Sequence, residues 1–145
     1  MDNIKASGGV QLKVIDAKTG NILQEFEEKN KVVNGGIQNV ARLLGGASTG
    51  KPITKVGFGE SSNQVDIADS TLLNPYMKNI DSVVYPALNK VQFNFSLAAN
   101  EANGMNITEL ALFNTDNVMF SRKTRSAIAK TNAVIITGIW TITIN

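Results

Sequence analysis

Cysteine and histidine are both missing from this chain of 145 residues. Without cysteine there is no disulfide, no thiolate nucleophile and no Cys-ligated zinc or iron–sulfur centre. Without histidine the commonest general base and metal ligand is missing as well. These absences exclude most familiar catalytic constellations, so we predict a protein that is not an enzyme and has no catalytic residues, cofactor or metal.

Aromatic residues and long apolar runs are also scarce. Six Phe, two Tyr and one Trp are present, so the core has to rest mainly on valine, isoleucine and leucine. No run approaches the roughly 20 apolar residues that a membrane-spanning helix needs. The first five residues lack the basic and apolar segments of a signal peptide. We therefore expect no Sec-type export and no membrane partner.

The balance of charge is close to neutral. The formal net charge is +2 at pH 7, with 43% hydrophobic and 18% charged residues, which is ordinary for a folded globular domain. Phosphate binding usually shows as a clustered basic stripe, so no nucleic-acid partner is expected. From this length we predict a flexible N-terminal lead-in over residues 1–9 and a single β-sandwich domain over residues 10–145.

Alternation of apolar and polar residues is the strongest structural signal. In residues 134–145, Ile136, Trp140 and Ile142 share one face, and Thr141 and Thr143 share the other. Such alternation predicts a half-buried strand of an antiparallel sheet. Similar patterns predict further strands over residues 10–15, 22–27, 53–58, 79–86, 90–97, 107–113 and 118–121. The expected fold is mainly β, an antiparallel β-sandwich or partly open barrel of about eight strands.

One short helix is predicted at about residues 37–44. Asn34 is expected to cap it, and Gly45 with Gly46 to end it. Its apolar residues recur at helical spacing: Ile37, Val40, Ala41 and Leu44. Because so short a helix is marginal alone, this apolar stripe is expected to pack on the sheet.

Carboxylates are the remaining candidates for chemistry, since glycoside hydrolysis needs only two of them across the scissile bond. The candidates are Glu60, Asp66, Asp69, Glu101 and Glu109. Glu109 lies in a predicted strand. On a solvated face it is a surface residue, and under a loop it should accept backbone hydrogen bonds or pair with Arg122 or Arg125. Both alternatives give it a structural role.

Four cations in nine residues form the one basic cluster of the sequence, on a segment that we predict to be a connecting loop. The alternatives for it are a solvated loop and an intersubunit salt bridge. Tyr76 lies near another loop, and the outward face of the last strand is a further candidate contact surface. The candidate interface residues are therefore Arg122, Lys123, Arg125, Lys130, Tyr76, Ile139, Thr141 and Thr143.

Several segments in a fixed order carry a family resemblance. They are NKVVNGG (residues 30–36), ITKVGFG (residues 53–59), ITELALF (residues 107–113), KT (residues 130–131) and GIWTITI (residues 138–144). In this order the chain resembles small β-rich structural proteins of tailed bacteriophages, of the tail-fibre, baseplate and head-fibre-associated type. The resemblance extends over residues 10–145.

The resemblance implies a non-enzymatic virion protein, an accessory, decorating or adaptor subunit of the head or tail. It would be made in the host cytoplasm and located in the virion. Its partners would be other capsid or tail proteins and copies of itself in a homo-oligomer. Contacts are expected through residues 1–9, 45–51, 60–75 and 122–131. The alternative is a receptor-binding module for host surface glycans that uses Tyr76, Asn74 and Asn79, and a carboxylate-based glycan hydrolase is a third class.

Overall fold

The computed structural model describes residues 4–145, and the fold is mainly β. Nine strands and one helix lie in that range, and the strands pair in antiparallel fashion. The strands are β1 (Ala6–Asp16), β2 (Ile22–Val32), β3 (Ile53–Gly59), β4 (Tyr76–Asn79), β5 (Ser82–Ala87), β6 (Lys90–Leu97), β7 (Asn106–Asn114), β8 (Met119–Ala129) and β9 (Val134–Ile144), and the helix is α1 (Asn34–Gly45). The predicted fold class is confirmed.

The described residues form two compact units. Unit 1 contains the described residues up to 30, residues 80–105 and residues 129–145, and unit 2 contains residues 31–79 and 106–128. Most of β2 belongs to unit 1, and its last two residues belong to unit 2. The single β-sandwich domain over residues 10–145 stays a prediction, and the two units are described separately.

Unit 1 is an antiparallel sheet with the strand order β2-β1-β9-β6-β5. Strands β1 and β9 pair over their whole length, from Ala6 opposite Ile144 to Asp16 opposite Val134. The predicted inward face of β9 is buried at its centre, and it lies beside the buried residues of the neighbouring strands β1 and β6. The buried set is Val10, Leu12, Val14, Phe93, Phe95, Leu97, Ile136, Trp140 and Ile142.

Gly138 interrupts the apolar face of β9 for a steric reason. It pairs with Phe95, and a Cβ at this position would collide with the ring of Phe95 and approach Leu12 to 2.8 Å. The missing side chain therefore makes room for the Phe95 ring in the core. Without that room the neighbours would have to shift, as in any overpacked core.

The predicted lead-in ends earlier than expected. Residues 1–3 lie outside the described residues, whereas Ala6–Gly9 belong to β1. The reason is that β9 is long enough to pair with them, and the Lys5 N–H donates to the Asn145 carbonyl at 2.7 Å. Because this segment has few apolar residues, its sequence did not predict the backbone pairing with β9.

The first hairpin follows the sequence expectation closely. The carboxylate of Asp16 accepts hydrogen bonds from the N–H groups of Lys18 and Thr19, both at 2.9 Å, and Gly20 has a φ of +75°. The Thr19 and Lys18 backbone N–H groups lower the pKa of the Asp16 carboxyl group. Asp and Gly at these positions are the residues that such a turn favours.

Unit 2 has the strand order β4-β3-β7-β8, followed by the end of β2. Strands β3 and β7 pair with Val56 opposite Leu112 and Phe58 opposite Leu110. Nearly every residue of β7 is buried, on both faces of the strand. A further buried cluster contains Val33, Ala111, Phe113 and Met119, with Leu72 packed against it.

Two predicted strand boundaries are wrong. The segment predicted as a strand over residues 79–86 is divided, because Tyr76–Asn79 pairs with β3 as β4 and Ser82–Ala87 pairs with β6 as β5. The predicted loop over residues 122–131 is largely strand β8, which reaches Ala129. Its backbone pairs with β2 at Ser121 and Arg122, so the high charge of the segment does not prevent a strand.

Helix α1 is longer than predicted and begins differently. Val33 occupies the N-cap position, no described side chain caps it, and Asn34 is the first helical residue. The predicted glycine stop is confirmed, since Gly46 is left-handed with a φ of +73° and its N–H donates to the Arg42 and Leu43 carbonyls. Such a residue satisfies carbonyls that the helix leaves unpaired.

Candidate functional site

Glu109 is the centre of a buried polar cluster in unit 2, and its side chain is fully buried. One carboxylate oxygen, Oε1, accepts a hydrogen bond from Nε of Arg122 at 2.8 Å. The other, Oε2, accepts from the backbone N–H groups of Ser61 and Leu73, at 2.9 and 2.8 Å. A Cβ on Gly59 would collide with this carboxylate. Glu109 therefore holds both ends of the segment 61–73.

Arg122 extends the cluster to the middle of the same loop. Its NH1 lies 2.9 Å from Oδ2 of Asp69, and its NH2 donates to the carbonyl of Asn63 at 3.1 Å. The Asp69 carboxylate also accepts from the N–H of Asp66 at 2.8 Å. We call Glu109, Arg122 and Asp69 the loop brace, because their side chains attach residues 61–73 to strands β7 and β8.

The loop brace answers the question that the sequence left open about Glu109. The residue lies under a loop, accepts backbone hydrogen bonds and pairs with Arg122, as one of the two alternatives predicted. A fully buried carboxylate that accepts three hydrogen bonds from fixed donors supports structure. The other acidic candidates also hold backbone, since Glu60 accepts from the Asn106 N–H and Glu101 from the Ala98 N–H.

Metal ligation was the remaining possibility for the acidic loops. Within residues 4–145, no group of three or more His, Cys, Asp or Glu side chains is arranged to hold a metal ion. In that same range, no helix has the length and apolarity that crossing a bilayer requires.

Helix α1 is held by polar contacts rather than by its apolar stripe. The buried Asn39 side chain donates to the Lys51 carbonyl at 2.8 Å and accepts from the Lys51 N–H at 3.0 Å. Asn114 donates to the same Asn39 oxygen at 2.9 Å. Gly36 faces the backbone of Phe120 so closely that a Cβ would collide with it. The predicted packing of the stripe on the sheet is wrong, because Gly36 and Asn39 occupy that face.

The apolar residues of α1 consequently face solvent. Ile37 is 59% exposed, Leu43 is 46% exposed and Leu44 is 82% exposed. Val40 is half-buried, and Ala41 is exposed. We call Ile37, Val40, Ala41 and Leu44 with Leu43 the apolar face of α1. It is a contiguous set at helical spacing without a core to cover it in unit 2.

A second exposed apolar segment lies in unit 1, at the end of the strand order. All residues of β5 are exposed, including Val83, Val84 and Tyr85, and Leu88 in the following turn is fully exposed. Strand β5 pairs with β6 and ends the strand order of unit 1. An exposed edge strand is a template for pairing with another chain, and here residues 82–85 offer it, since Pro86 and the irregular register between Val84 and Ala87 interrupt the strand beyond them.

The basic cluster is divided between buried and half-buried positions, so its prediction as a contact surface needs correction. Arg122 is 3% exposed in the loop brace, and Lys130 is 1% exposed in unit 1. Lys123 and Arg125 are half-buried, and Arg125 donates to the Ser126 carbonyl at 2.6 Å. Arg122 and Lys130 are thus unavailable to a partner, because Arg122 is buried in the loop brace and Lys130 is buried just after the end of β8.

Lys130 is a buried cation with its own set of acceptors. Its Nζ donates to Asn103 Oδ1 at 2.9 Å, the Thr131 carbonyl at 3.0 Å and the Ala99 carbonyl at 3.4 Å. Burial lowers the pKa of the Lys130 ammonium group, and the Glu101 carboxylate opposes that shift. The side chain therefore holds the loop between β6 and β7.

The predicted glycan-binding residues are all in unit 2, on or near β4. Asn74 is exposed, has a φ of +48° and donates to Glu60 at 3.4 Å. Tyr76 is half-buried, and Asn79 is exposed. These side chains lie on a short strand and on the segment that leads into it.

The outward face of β9 contributes to a groove that the sequence pattern does not predict. The groove has a volume of about 660 Å³ and lies on the polar face of β2, β1, β9 and β6 in unit 1. Thr141 and Thr143, two of the predicted contact residues, line it together with Ser7, Gly8, Gly9, Gln11, Glu27, Glu28, Lys29 and Lys90. The signal that could have found it is the pair of glycines among polar residues in β1.

Comparison with models of protein families, with curated proteins and with solved structures gives no match. The assignment of function therefore rests on the chemistry of the surfaces described above and on the sequence resemblance.

Proposed function

We propose that this chain is a non-enzymatic structural subunit of a tailed-bacteriophage particle, which assembles through protein–protein contacts in the head or tail. The observation that carries the proposal is the apolar face of α1, where a helix directs Gly36 and Asn39 inward and leucine and isoleucine outward. The resemblance to phage structural proteins over residues 10–145 supports the same role.

The physical argument concerns the hydrophobic effect. Burying one leucine or isoleucine side chain is worth about 1.5–3 kcal/mol, and α1 leaves several of them in water. A helix that lays its apolar side chains in a partner's groove recovers this free energy, and its contact residues recur at i, i+3, i+4 and i+7. Ile37, Val40, Ala41 and Leu44 have that spacing. The partner is a different virion protein with an apolar groove.

The β5 edge supplies a second surface, directed at another copy of the chain. Two identical edges can pair antiparallel about a two-fold axis, which closes the contact after two copies. Val83, Val84 and Tyr85 would then lie across the new strand pair, where β-branched and aromatic side chains stabilise each other. This is how the proposed subunit would form a homo-oligomer.

We predict that Leu44→Lys abolishes incorporation into phage particles and leaves the fold intact. The substitution puts a charge on the apolar face of α1, near the end of the helix, at a position that is 82% exposed in the free chain. The measurement is quantitative mass spectrometry of purified particles, with the tagged variant supplied in place of the natural chain. Urea unfolding of the isolated variant should stay within about 0.5 kcal/mol of the parent.

The matched control is Gln38→Lys, which adds the same charge to an exposed, non-apolar position of the same helix. Particles should retain this variant at the parent level. Absence of the unmodified chain from purified particles would refute the virion role itself. Equal incorporation of both lysine variants would show that the apolar face of α1 is not the contact.

A further inference from the structure

We propose that Lys130 and Asn103 form an intramolecular isopeptide bond, in which the lysine Nζ becomes linked to the side-chain carbonyl carbon of Asn103 and ammonia is released. Both residues belong to unit 1, and Nζ lies 2.9 Å from Oδ1 of Asn103. The chain has no cysteine, so no disulfide can supply a covalent cross-link. This inference does not rest on the virion role, which is argued from α1 in unit 2.

Backbone hydrogen bonds hold the two residues beside each other. The Lys130 N–H donates to the Met105 carbonyl at 2.9 Å, and the Gly104 N–H donates to the Lys130 carbonyl at 2.9 Å. The segment that follows Asn103 is therefore fixed against Lys130. Holding two reacting groups in place removes much of the entropic barrier to their reaction.

The two side chains are oriented toward each other as well. With Nζ of Lys130 at 2.9 Å from Oδ1 of Asn103, Nζ is within about 4 Å of the carbonyl carbon Cγ. Nδ2 of Asn103 donates to the Ala99 carbonyl at 3.0 Å, and Nζ lies 3.4 Å from the same carbonyl. The amide is thus held at both of its polar atoms, with the amine beside its carbonyl group.

Lys130 has the surroundings of an activated amine. The residue is 1% exposed, and the three hydrogen-bond acceptors of Nζ are neutral carbonyl oxygens of Ala99, Asn103 and Thr131. Burial lowers the pKa of the Lys130 ammonium group, and the Glu101 carboxylate opposes that shift. A lower pKa raises the fraction of neutral amine, which is the nucleophilic form.

The reaction balances without an external reagent. The Lys130 ammonium gives one proton to the Glu101 carboxylate, with which it interacts electrostatically. The neutral Nζ then attacks Cγ of Asn103, and the bond between Cγ and Nδ2 breaks. Nζ loses a second proton, Nδ2 gains one and leaves as ammonia, and Glu101 returns its proton to that ammonia. Asn103 is exposed, so the ammonia leaves directly into solvent.

The bond closes a loop that contains strands β7 and β8. Both strands lie between residues 103 and 130, and residues 106–128 belong to unit 2. A cross-link that closes a loop restricts the unfolded chain, as a disulfide does. The new amide keeps one N–H on Nζ, and the Thr131 carbonyl lies 3.0 Å from that atom as its acceptor.

Intact-mass spectrometry of the purified full chain is the first test. We expect a mass that is lower than the sequence mass by one ammonia molecule. Trypsin does not cleave after an acylated lysine, so digestion should release residues 91–122 joined to residues 126–145 as one branched peptide. The full sequence mass in the folded chain would overturn the proposal.

Lys130→Arg excludes a second route to the same mass. A succinimide at Asn103 also loses ammonia, but its nucleophile is the backbone nitrogen of Gly104. Arginine keeps the charge and stays protonated, so this variant should have its full sequence mass. Lys123→Arg is the matched control at a half-buried lysine of β8 and should lose ammonia as the parent does. Loss of ammonia from Lys130→Arg would overturn the proposal, and if that variant fails to fold, the branched peptide of the parent decides.

Glu101→Gln tests the proton transfer. In freshly synthesised chain followed by mass spectrometry over time, this variant should lose ammonia at least about tenfold more slowly than the parent, because glutamine cannot accept the proton. An unchanged rate would overturn the step assigned to Glu101.

Discussion

Arg122→Met should lower the free energy of unfolding by about 3–5 kcal/mol, which is the usual cost of removing one partner of a buried ion pair. The loss is large because the variant leaves the Glu109 carboxylate buried, with backbone N–H groups of Ser61 and Leu73 but without its counter-charge. It also frees Asp69 and the Asn63 carbonyl. Urea unfolding followed by circular dichroism measures the change.

The double variant Arg122→Met with Glu109→Leu distinguishes the ion pair from simple packing. It should be less destabilised than the sum of the two single variants, because no uncompensated charge stays buried. Arg125→Met is the matched control on the same strand, at a half-buried position outside the loop brace, and should cost less than about 1 kcal/mol. An Arg122→Met variant as stable as Arg125→Met would contradict the assigned role.

Trp140→Ala should lower the free energy of unfolding by about 3–5 kcal/mol, which is the range for truncation of a large buried aromatic side chain. Trp140 is fully buried and lies opposite Val10 and Phe93, so its removal leaves a cavity in the centre of unit 1. Folded domains are commonly stable by only about 5–15 kcal/mol, so this is a substantial fraction. Circular dichroism is the appropriate probe, since the variant has lost the single tryptophan.

Trp140→Phe refines the test. The indole Nε1 is buried without a hydrogen-bond partner among the described residues, so phenylalanine removes a poorly satisfied group along with some volume. We expect Trp140→Phe to lower the free energy of unfolding clearly less than Trp140→Ala does. Thr141→Ala, on the opposite face of the same strand, should cost less than about 1 kcal/mol. Equal losses for Phe and Ala would mean that the indole nitrogen contributes more than its contacts indicate.

The strands were the most predictable part of the fold. Period-two alternation located β1, β6 and β9 because one face of each has to be apolar where it meets the core. The turn between β1 and β2 was predictable from Asp16 and Gly20, since local hydrogen bonds and a positive φ decide it. Both are local consequences of side-chain chemistry and need no knowledge of the partner strand.

The packing of α1 and the strand β8 were not predicted correctly from the pattern of apolar and charged residues. The apolar stripe of α1 predicts a helix that faces the sheet with these residues, but Gly36 permits a closer approach on another side, where the Asn39 side chain hydrogen-bonds to the backbone of Lys51. In β8 the charged residues continue a strand because their backbone has partners on neighbouring strands. Each outcome depends on residues distant in sequence.

The candidate site was predictable only in part. Pairing of Glu109 with Arg122 was one of two stated alternatives, and charge complementarity was enough to suggest it. The attachment of Ser61, Asn63 and Leu73 was not visible in the sequence, because it uses their backbone groups. The groove was hidden for a related reason: its lining residues come from four strands that only the register brings together.

The loop brace determines which substitutions residues 61–73 can accept during evolution. Glu109 and Arg122 hydrogen-bond to the main chain at Ser61, Asn63 and Leu73. Among residues 61–73, Asp69 is the side chain that Arg122 contacts. Every residue except proline supplies a backbone N–H, and every residue supplies a carbonyl. Most of residues 61–73 can therefore diverge while the attachment persists, provided that Asp69 and the core-packed Leu72 are kept. The same property makes this segment a natural place to graft a foreign peptide for display.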